Sequence, residues 1–451
     1  MARDAGANTG SHRAGDADGG SADLQGITSL QREYLFPCVG TYYEEPLLLV
    51  HGKGMHLTDA RGTDYLDFFG GILTVSVGHC NDTVNQAVIE QNETLQHVST
   101  LYMNAPQAVL AKKLAEITPG ELKKSFFTSS GTEANETAVL LARHATGRSD
   151  IIALRHAYSG RSEVAMNLTA QAPWRRTPSS VPYIKHAHNA YCYRCSFGLE
   201  YPGCDLRCAK DVEELIQTTT NGEVAAFMAE PIQGVGGFVT PPKEYFQEVL
   251  RIVRKYGGLF VCDEVQTGSG RTGKTWCGIE HWDVEPDIMT FAKGLANGLP
   301  IGATIATAAV ADTLTGLSIS TFGGNPVSCR GALATIEHIE KNDLVRSAEV
   351  QGERLRKGLE ALKDKYPSIG DVRGMGLMQA LEVVDPASPD GKAPDPKKVA
   401  RVFEETRRLG LLIGKGGLYG NVIRLTPPLI VSSGEIDQAL DVLDKAFAAA
   451  K

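Results

Sequence analysis

The chain has 451 residues, enough for two or three domains with a sizeable core. Apolar residues make up 42%, charged residues 22% and the net charge is −8, which excludes a wholly disordered chain and gives no basic surface for nucleic acid. The longest uncharged run, 294–311, carries Asn, Pro, Gly and Thr, so we predict no membrane span. No apolar signal-peptide segment opens the sequence, which predicts a cytoplasmic protein with reduced cysteines.

Residues 1–26 are largely Gly, Ala, Asp and Ser, so we predict a disordered tail there. From residue 78 to about 326, short apolar runs alternate with helical patterns. The runs are IIAL, AAFMAE, GLFVCDEV and DIMTFAK, and the helical patterns include ANETAVLLARHA and KEYFQEVLRIVRKY. Such runs between helices are typical of parallel strands buried on both faces. They predict a large α/β domain with a doubly wound, mainly parallel sheet.

The sequence pattern changes after residue 326. Two long helical patterns, at 329–341 and 349–365, precede strand-like VRGMGLMQALEVV and a Pro/Asp loop at 385–396. A further helix, strand-like NVIRLTPPL and a last helix from Glu435 follow. We predict a second, smaller α+β domain over 327–451.

The first candidate site is the small-residue turn TSSGTEAN at 128–135, which follows strand-like SFF and opens a helix. Free backbone N–H groups and the positive end of a helix dipole at such a turn bind phosphate. An ordinary Ser or Thr helix cap would give the same pattern.

Two further candidates end apolar strand runs. Asp263 follows GLFVC, at the sheet edge where doubly wound folds bind ligands, and a structural or helix-capping aspartate is the alternative. Lys293 ends a later run in a glycine-rich turn, where desolvation lowers the pKa of an amine and favours a nucleophile. A lysine whose stem lies along the surface is the alternative.

A phosphate-binding turn, a buried carboxylate and an activated lysine on successive α/β units fit one cofactor, pyridoxal phosphate. The lysine forms its Schiff base, the aspartate keeps its pyridinium nitrogen protonated and a helix N-terminus binds its phosphate. Each signal is weak by itself, and the three in this order are strong.

From about residue 35 to the C-terminus, the chain resembles the class III aminotransferases, pyridoxal-phosphate enzymes of fold type I. The motifs that carry the resemblance are SGTEANE (130–136), AEPIQG (229–234), DEVQTG (263–268), AKG (292–294), TFGGNP (321–326) and IRLTPPL (423–429). LDFFGGILTVSVGHC and GLLIGKGGLYGNVIRLTPPL are most similar to the alanine–glyoxylate aminotransferase-like subgroup.

The resemblance also implies the organisation of the chain. Residues 27–77 would pack on the small domain and on a dimer partner. Residues 78–326 would form the cofactor-binding domain, with a cysteine-rich excursion at 186–209. The assembly would be a homodimer, with a tetramer as the alternative.

The resemblance assigns roles residue by residue. Lys293 and Asp263 are the catalytic residues, as Schiff-base lysine and partner of the ring nitrogen, and Tyr158 stacks on the ring. The other implied cofactor contacts are Ser130, Gly131 and Thr132 at the phosphate, Gln266 at the phenolic oxygen, and Thr321 reaching the phosphate from the neighbouring subunit. Two positions depart from the family: Ser159 stands where His is frequent, and GHCND (78–82) lacks a usual His and Pro.

Arg424 is the candidate for the substrate carboxylate, because a guanidinium binds carboxylates in a bidentate manner. A solvent-facing strand arginine is the alternative. In related enzymes a glutamate at the position of Glu230 pairs with this arginine when the substrate lacks an α-carboxylate. The pair predicts a site that accepts both ω-amino donors and α-keto acids. Candidates for lining the substrate pocket are Tyr42, Tyr43, Leu73 and Tyr102.

The resemblance implies an aminotransferase with a ping-pong cycle through Lys293, from an amino acid or ω-amino donor to glyoxylate or pyruvate. A lyase, decarboxylase or aminomutase of the same fold would use the same Lys293 and Asp263. A nucleotide-binding oxidoreductase would need G-x-G-x-x-G after its first strand and an acid about twenty residues on, and the sequence has no such arrangement.

Four of the nine cysteines form two close pairs with aromatic, Gly and Pro residues between them: Cys192, Cys195, Cys204 and Cys208. The spacing resembles a small zinc knuckle, so we predict a structural zinc ion. Four reduced thiols or oxidised pairs are the alternatives.

Overall fold

The computed structural model describes residues 24–450, so the tail predicted for residues 1–26 lies outside the described residues up to residue 23. Helix α1 (Leu24–Tyr34) begins within that predicted tail. Three short strands follow: β1 (Leu49–Lys53), β2 (His56–Asp59) and β3 (Asp64–Asp67). No helix among residues 24–450 combines the length and apolar character of a bilayer-spanning segment.

One large sheet forms the centre of the molecule. Its strands are β4 (Leu122–Thr128), β5 (Ile151–Leu154), β6 (Ile184–Ala187), β7 (Ala226–Ala229), β8 (Leu259–Asp263), β9 (Ile288–Phe291) and β10 (Gly302–Thr307). They lie in the order β4-β10-β9-β8-β7-β5-β6. The run from β6 to β9 is parallel, and β10 is antiparallel to both of its neighbours. The predicted mainly parallel α/β sheet is therefore confirmed.

Helices cover both faces of this sheet. The helices of this part of the chain are α2 (Gly70–Leu73), α3 (Asp82–Thr94), α4 (Ala105–Ile117), α5 (Gly131–Thr146), α6 (Glu163–Leu168), α7 (Arg207–Thr219), α8 (Tyr245–Lys255), α9 (Ala308–Ala311) and α10 (Pro326–Lys341), of which α2 and α3 lie away from the sheet. Phe227 and Ala229 of β7 pack in one core cluster with α7 and α8, whereas Ala226 and Met228 pack in another with α5. Burial on both faces explains the continuous apolar runs of the strands.

Short 3₁₀ helices interrupt the connections of the large domain at Cys192–Arg194, Gly278–Trp282 and Lys293–Ala296. The second of these lies in the connection between β8 and β9, and the third follows β9 directly. The third therefore begins with the predicted catalytic lysine.

The C-terminal part forms the smaller α+β domain. Its elements are α11 (Leu344–Lys365), β11 (Ile369–Met375), β12 (Met378–Asp385), β13 (Ala393–Pro394), α12 (Pro396–Arg408), β14 (Leu411–Leu412), β15 (Gly414–Gly416), β16 (Val422–Leu425) and α13 (Ser433–Ala449). Strands β11, β12, β16 and β15 form an antiparallel sheet, and β13 pairs with β12. The strand-like VRGMGLMQALEVV is thus the β11–β12 hairpin.

The N-terminal segment is built into this smaller domain. Strand β3 pairs in parallel with β14, and the backbone N–H of Phe68 donates to Leu412 O at 2.8 Å. Met55, Phe68 and Val77 share a core cluster with residues of α11, α12 and α13. The N-terminal segment therefore packs as part of the small domain before the chain enters the large domain.

Local sequence signals explain where several helices begin. Ser432 and Glu435 form a reciprocal capping box at the start of α13. Asp395 caps α12 and Asn325 caps α10, each followed by a proline at the first helical position.

Candidate active site

Asp263 ends β8, and its buried carboxylate lies at the carboxyl edge of the large sheet. Because β9 runs parallel to β8, Lys293 arrives at the same edge two residues after β9 ends. Asp263 Oδ1 accepts a hydrogen bond from the backbone N–H of Val265 at 3.0 Å. Burial raises the pKa of Asp263, and the Val265 amide, the Asn135 side chain and the Lys293 charge act against that rise. The sheet thus fixes a carboxylate beside an amine.

Asn135 fixes the second carboxylate oxygen and was not predicted from the sequence. Its Nδ2 donates to Asp263 Oδ2 at 2.8 Å and to Ser159 O at 2.9 Å. Its Oδ1 accepts from Thr290 Oγ1 at 2.8 Å, and the side chain is buried. The available signal was an asparagine on the apolar face of a helix, because a buried amide needs hydrogen-bond partners from other elements.

Lys293 begins its 3₁₀ helix with a left-handed backbone, at φ +42°. This conformation is unfavourable for residues other than glycine and is found at functional sites. Burial lowers the pKa of the Lys293 amine to about 8, with Asp263 and Glu230 acting to raise it and Arg424 to lower it. The lowered pKa increases the fraction of neutral amine at pH 7, which is the nucleophilic form.

The N-terminus of α5 forms another wall of the site. Ser130 is the N-cap residue, and Gly131 and Thr132 present the first backbone N–H groups of the helix, which no earlier turn can bond. A side chain at Gly131 would place its Cβ 3.2 Å from Val265 and 3.4 Å from the Ala292 Cβ. The close approach explains the glycine, and the N-terminus is suited to an anion.

These groups surround one cavity of about 190 Å³. Its lining residues are Gly131, Thr132, Asn135, Tyr158, Ser159, Gly160, Glu230, Asp263, Val265, Gln266, Ala292 and Lys293. Tyr158 is half-buried, and its ring packs edge-on against Trp174 with centroids 5.5 Å apart. The cavity therefore joins the N-terminus of α5, the aromatic ring, the carboxylate and the amine.

The residues present fit pyridoxal phosphate. The buried Oε1 of Gln266 has no hydrogen-bond partner among the described residues, so this amide is available to a bound group. The helix N-terminus suits a phosphate, and Asp263 suits a protonated ring nitrogen. A doubly wound sheet that brings these groups to one cavity with a lysine of lowered pKa defines a pyridoxal-phosphate-dependent enzyme.

Arg424 of β16 reaches the site from the small domain and is buried. Its Nε donates to Lys415 O at 3.1 Å and its Nη1 to Gly234 O at 3.4 Å. The guanidinium lies 5.1 Å from the centroid of the Phe69 ring. Burial lowers the pKa of Arg424, while Tyr42 and the Glu230 carboxylate act to raise it.

Glu230 follows β7 and is buried, but the structure does not join it to Arg424 by an ion pair among the described residues. Its Oε2 accepts from the Gly234 amide at 2.7 Å and its Oε1 from the Tyr158 amide at 3.1 Å. Burial raises the pKa of Glu230, and the nearby Asp263 charge adds to the rise. Glu230 is therefore held on the backbone in this conformation.

The other predicted substrate and cofactor residues do not line this cavity. Tyr42 lies close enough to Arg424 to raise the pKa of its guanidinium, and its ring centroid is 5.8 Å from that of Phe69. Thr321 is exposed and does not line the cavity of its own chain. The candidate pocket residues Tyr43, Leu73 and Tyr102 range from the buried Leu73 to Tyr102, which is 70% exposed.

The predicted zinc ion is not supported. Among residues 24–450 there is no group of three or more His, Cys, Asp or Glu side chains placed to hold a metal ion. Each of the four predicted ligands, Cys192, Cys195, Cys204 and Cys208, is a free cysteine. Burial raises the pKa of Cys208 to about 12, and the neighbouring Cys192 and Cys204 add to the rise. The excursion is instead attached to the small domain by Tyr191 and Arg194, which both hydrogen-bond Glu382.

Comparison with known proteins identifies the family of the chain. The family model Aminotransferase class-III matches residues 41–447. The chain is 42% identical over 427 residues to the mitochondrial alanine–glyoxylate aminotransferase 2 homolog 2 of Arabidopsis thaliana, covering 94% of this chain and 87% of that protein. It is 39% identical over 425 residues to a leucine/methionine racemase of Thermococcus litoralis, covering 92% of this chain and 93% of that protein.

A solved (S)-enantioselective omega-transaminase from Thermomicrobium roseum superposes with a TM-score of 0.87 at 33% identity, covering 94% of this chain and 98% of that one. The chain belongs to the class III aminotransferase family and is a pyridoxal-phosphate-dependent transaminase. The family, the fold and the type of enzyme predicted from the sequence are confirmed.

Proposed function

We propose that the enzyme transfers an amino group from an amino acid or an ω-amino donor to a small 2-oxo acid such as glyoxylate or pyruvate. The observation that supports this proposal most directly is that Arg424 is buried at the site and donates its hydrogen bonds to backbone carbonyl oxygens. Its buried guanidinium lies close enough to Lys293 to affect the pKa of the amine, and its hydrogen bonds to the backbone end on two carbonyl oxygens. A buried guanidinium without a carboxylate partner suits a substrate carboxylate. The Arabidopsis relative, named for alanine and glyoxylate, supports the same acceptor class.

The cofactor contacts follow from the groups around the cavity. Asp263 would hold the ring nitrogen, Gln266 the phenolic oxygen and Tyr158 the face of the ring. The phosphate would be held by the N-terminus of α5 through Ser130, Gly131 and Thr132. When bound, pyridoxal phosphate supplies an electron-withdrawing ring that weakens the carbon–hydrogen bond of the amino donor.

Lys293 would move the proton. Its amine has a pKa lowered to about 8, so near neutral pH it can both accept a proton from the donor carbon and return one. The carboxylates of Asp263 and Glu230 favour the protonated form of the amine, and Arg424 disfavours it. Binding a substrate carboxylate to Arg424 would neutralise that last effect and raise the proton affinity of Lys293.

Glu230 would pair with Arg424 when the donor has no α-carboxylate. In the described conformation both oxygens of Glu230 are bound to backbone amides, so pairing requires the carboxylate to leave Gly234 or Tyr158. Acceptance of ω-amino donors would therefore depend on a local rearrangement of Glu230 and not on a preformed ion pair.

A homodimer would complete the site. Exposed Thr321 lies in a segment with large exposed apolar side chains, among them Leu317 at 102% and Phe322 at 65% relative accessibility. Met103, at 101%, belongs to a second exposed apolar run with Leu101 and Tyr102. Such surfaces mark protein–protein contacts. A twofold arrangement would bring Thr321 to the phosphate of the partner's site. Sedimentation of the cofactor-loaded enzyme tests this, and a monomer with full activity would contradict it.

A screen of amine donors with pyruvate and glyoxylate as acceptors tests the proposed reaction. Because one relative is named a leucine/methionine racemase, the screen must identify the product and not only the loss of the donor. We expect equal amounts of oxo product and new amino acid. Inversion of the donor without oxo product would instead indicate racemisation. The cytoplasmic location stays a prediction.

A further inference from the structure

A cluster of charged side chains joins the cysteine-rich excursion (186–209) to the small domain. At its centre Glu382 of β12 is fully buried. From the excursion, the Tyr191 hydroxyl and Arg194 Nε donate to its two carboxylate oxygens. From the small domain, Arg373 Nη1 donates to Glu382 Oε2 at 2.6 Å, and Asn421 Nδ2 donates to Oε1 at 3.3 Å. One carboxylate therefore connects two parts of the molecule that are distant in sequence.

The same cluster holds a loop of the active site. Arg373 Nε donates to Gly237 O at 2.7 Å. Gly237 N donates to Gly234 O at 3.1 Å. Gly234 N donates to Glu230 at 2.7 Å, and Gly234 O accepts from Arg424 at 3.4 Å. Together with the Arg373–Glu382 contact, these hydrogen bonds lead from Glu382 through Arg373 and this loop to the two proposed substrate residues.

The loop needs this external support because of its composition. Residues 234–237 read GVGG, and three glycines give the backbone little stiffness of its own. Gly237 has φ +97°, and a Cβ there would lie 3.2 Å from Arg373 Nη2, so backbone and guanidinium are in close contact. A small movement of Arg373 would therefore be transmitted to Gly234.

Stability alone does not account for the cluster. Buried ion pairs often contribute little net stability, because removing both charges from water is costly. The Nη2 atoms of Arg194 and Arg373 are buried and have no hydrogen-bond partner in the described part of the chain. Burial by itself would raise the pKa of Glu382, but Arg373, Tyr191 and Arg194 outweigh it and hold the pKa below its ordinary value. The carboxylate is thus kept charged for its contacts.

We propose that Tyr191, Arg194, Arg373 and Glu382 form a clamp of positioning residues that sets the affinity of the active site for the 2-oxo acid. The clamp rests on the proposed function, since it acts on the same Arg424. It assigns the excursion a role in substrate binding that requires no metal ion. Arg194 and Tyr191 hold Glu382 from the excursion, Glu382 holds Arg373, and Arg373 holds the loop that contacts Arg424 and Glu230.

Steady-state kinetics of the cofactor-loaded enzyme test the clamp. Arg194→Met removes one contact to Glu382 and leaves Arg373 intact. We expect KM for glyoxylate or pyruvate to rise about five-fold or more with kcat within about two-fold, the pattern of lost binding without lost chemistry. The half-reaction with an amine donor that has no carboxylate should change less than the half-reaction with the oxo acid. Tyr191→Phe, which removes only a hydroxyl, should change KM in the same direction by a smaller factor.

The control is Arg207→Met, which removes another arginine of the excursion. Arg207 pairs with Glu214 at 3.7 Å, and both side chains are more than half exposed, so KM should not change. If Arg194→Met and Tyr191→Phe lower the melting temperature while KM for the oxo acid stays at the wild-type value, the clamp is only structural and the proposal is wrong. If the wild-type enzyme accepts no 2-oxo acid, the proposed function and the clamp both fail.

Discussion

Asn135 Nδ2 lies 2.8 Å from Asp263 Oδ2, so a helix and a strand of the large domain meet at the carboxylate assigned to the cofactor ring. Thr290 on the neighbouring strand fixes the other end of the same amide at 2.8 Å. The orientation of Asp263 is therefore set by a chain of hydrogen bonds across two strands and one helix. A sequence motif could not predict this arrangement, because the three residues that form it come from three separate elements.

Asn135→Ala should slow transamination while leaving the fold intact. We expect a loss of about 1.5–3 kcal/mol of transition-state stabilisation, the range for a hydrogen bond to a charged group. Single-turnover rates measure it. Asn167→Ala is the control, because Asn167 is also a buried helical asparagine but does not line the cavity. Equal rates for Asn135→Ala and wild type would show that Asn135 is not needed to orient Asp263.

Lys293→Ala should retain the cofactor without a covalent bond and lose turnover. Removal of a general acid–base group typically lowers the rate by about 10²–10⁴-fold. Borohydride reduction should label wild type at Lys293 and not the variant, and added small primary amines should restore part of the rate. Lys274→Ala, which changes an exposed lysine, serves as the control. Substantial turnover by Lys293→Ala without added amine would contradict the assignment.

Arg424→Ala should damage the half-reaction with the oxo acid more than the one with an amine donor that has no carboxylate. We expect a loss of about 2–5 kcal/mol in the first, the range for removing one partner of a buried charged pair. Rapid-mixing measurements on each half-reaction separate the two. Arg408→Ala, at an exposed arginine paired with Glu405, should change neither. Equal losses in both halves would make Arg424 a structural arginine.

Glu230→Gln should change how stability depends on pH in the cofactor-free enzyme. The pKa of Glu230 is raised by burial, so the folded protein keeps a proton that the unfolded chain releases above its ordinary value of about 4.3. The free energy of unfolding therefore falls as pH rises from 5 to 7, by at most about 1.4 kcal/mol per pH unit for one proton. Lys293, with a pKa of about 8, stays largely protonated in both states over this window.

The measurement is the difference in melting temperature between Glu230→Gln and wild type at pH 5, 6 and 7. We expect the difference to move in favour of the variant as pH rises, because glutamine has no proton to lose. Glu200→Gln, at an exposed position, should give a constant difference. A constant difference for Glu230→Gln as well would show that its carboxylate is already ionised when buried.

Much of the fold was predictable because buried parallel strands give uninterrupted apolar runs. IIAL, AFMA and IMTF are strands β5, β7 and β9 as the pattern indicated. The antiparallel direction of β10 was not predictable, because apolar content carries no sign of strand direction. The β11–β12 hairpin was read as one strand, since the turn between Met375 and Met378 interrupts the pattern by only two residues.

The site was predictable where chemistry is local in sequence. Asp263, Lys293 and the turn at Ser130 each follow a strand, and parallel strands end at one edge of the sheet. The two backbone amides that bind Glu230 belong to Gly234 and Tyr158, which come from separate loops, so these contacts could not be predicted from the sequence. The cysteine spacing suggested a metal, but the excursion docks through Tyr191 and Arg194, whose partner Glu382 lies almost two hundred residues away.

The most direct test of the account is the product of a single turnover with L-alanine. Enzyme loaded with pyridoxal phosphate is mixed with excess L-alanine without an acceptor, and pyruvate is quantified. We predict one pyruvate per active site, followed on addition of glyoxylate by renewed turnover that forms glycine and further pyruvate in equal amounts. Formation of D-alanine without pyruvate, or release of a product other than an oxo acid from any donor that reacts, would contradict the account.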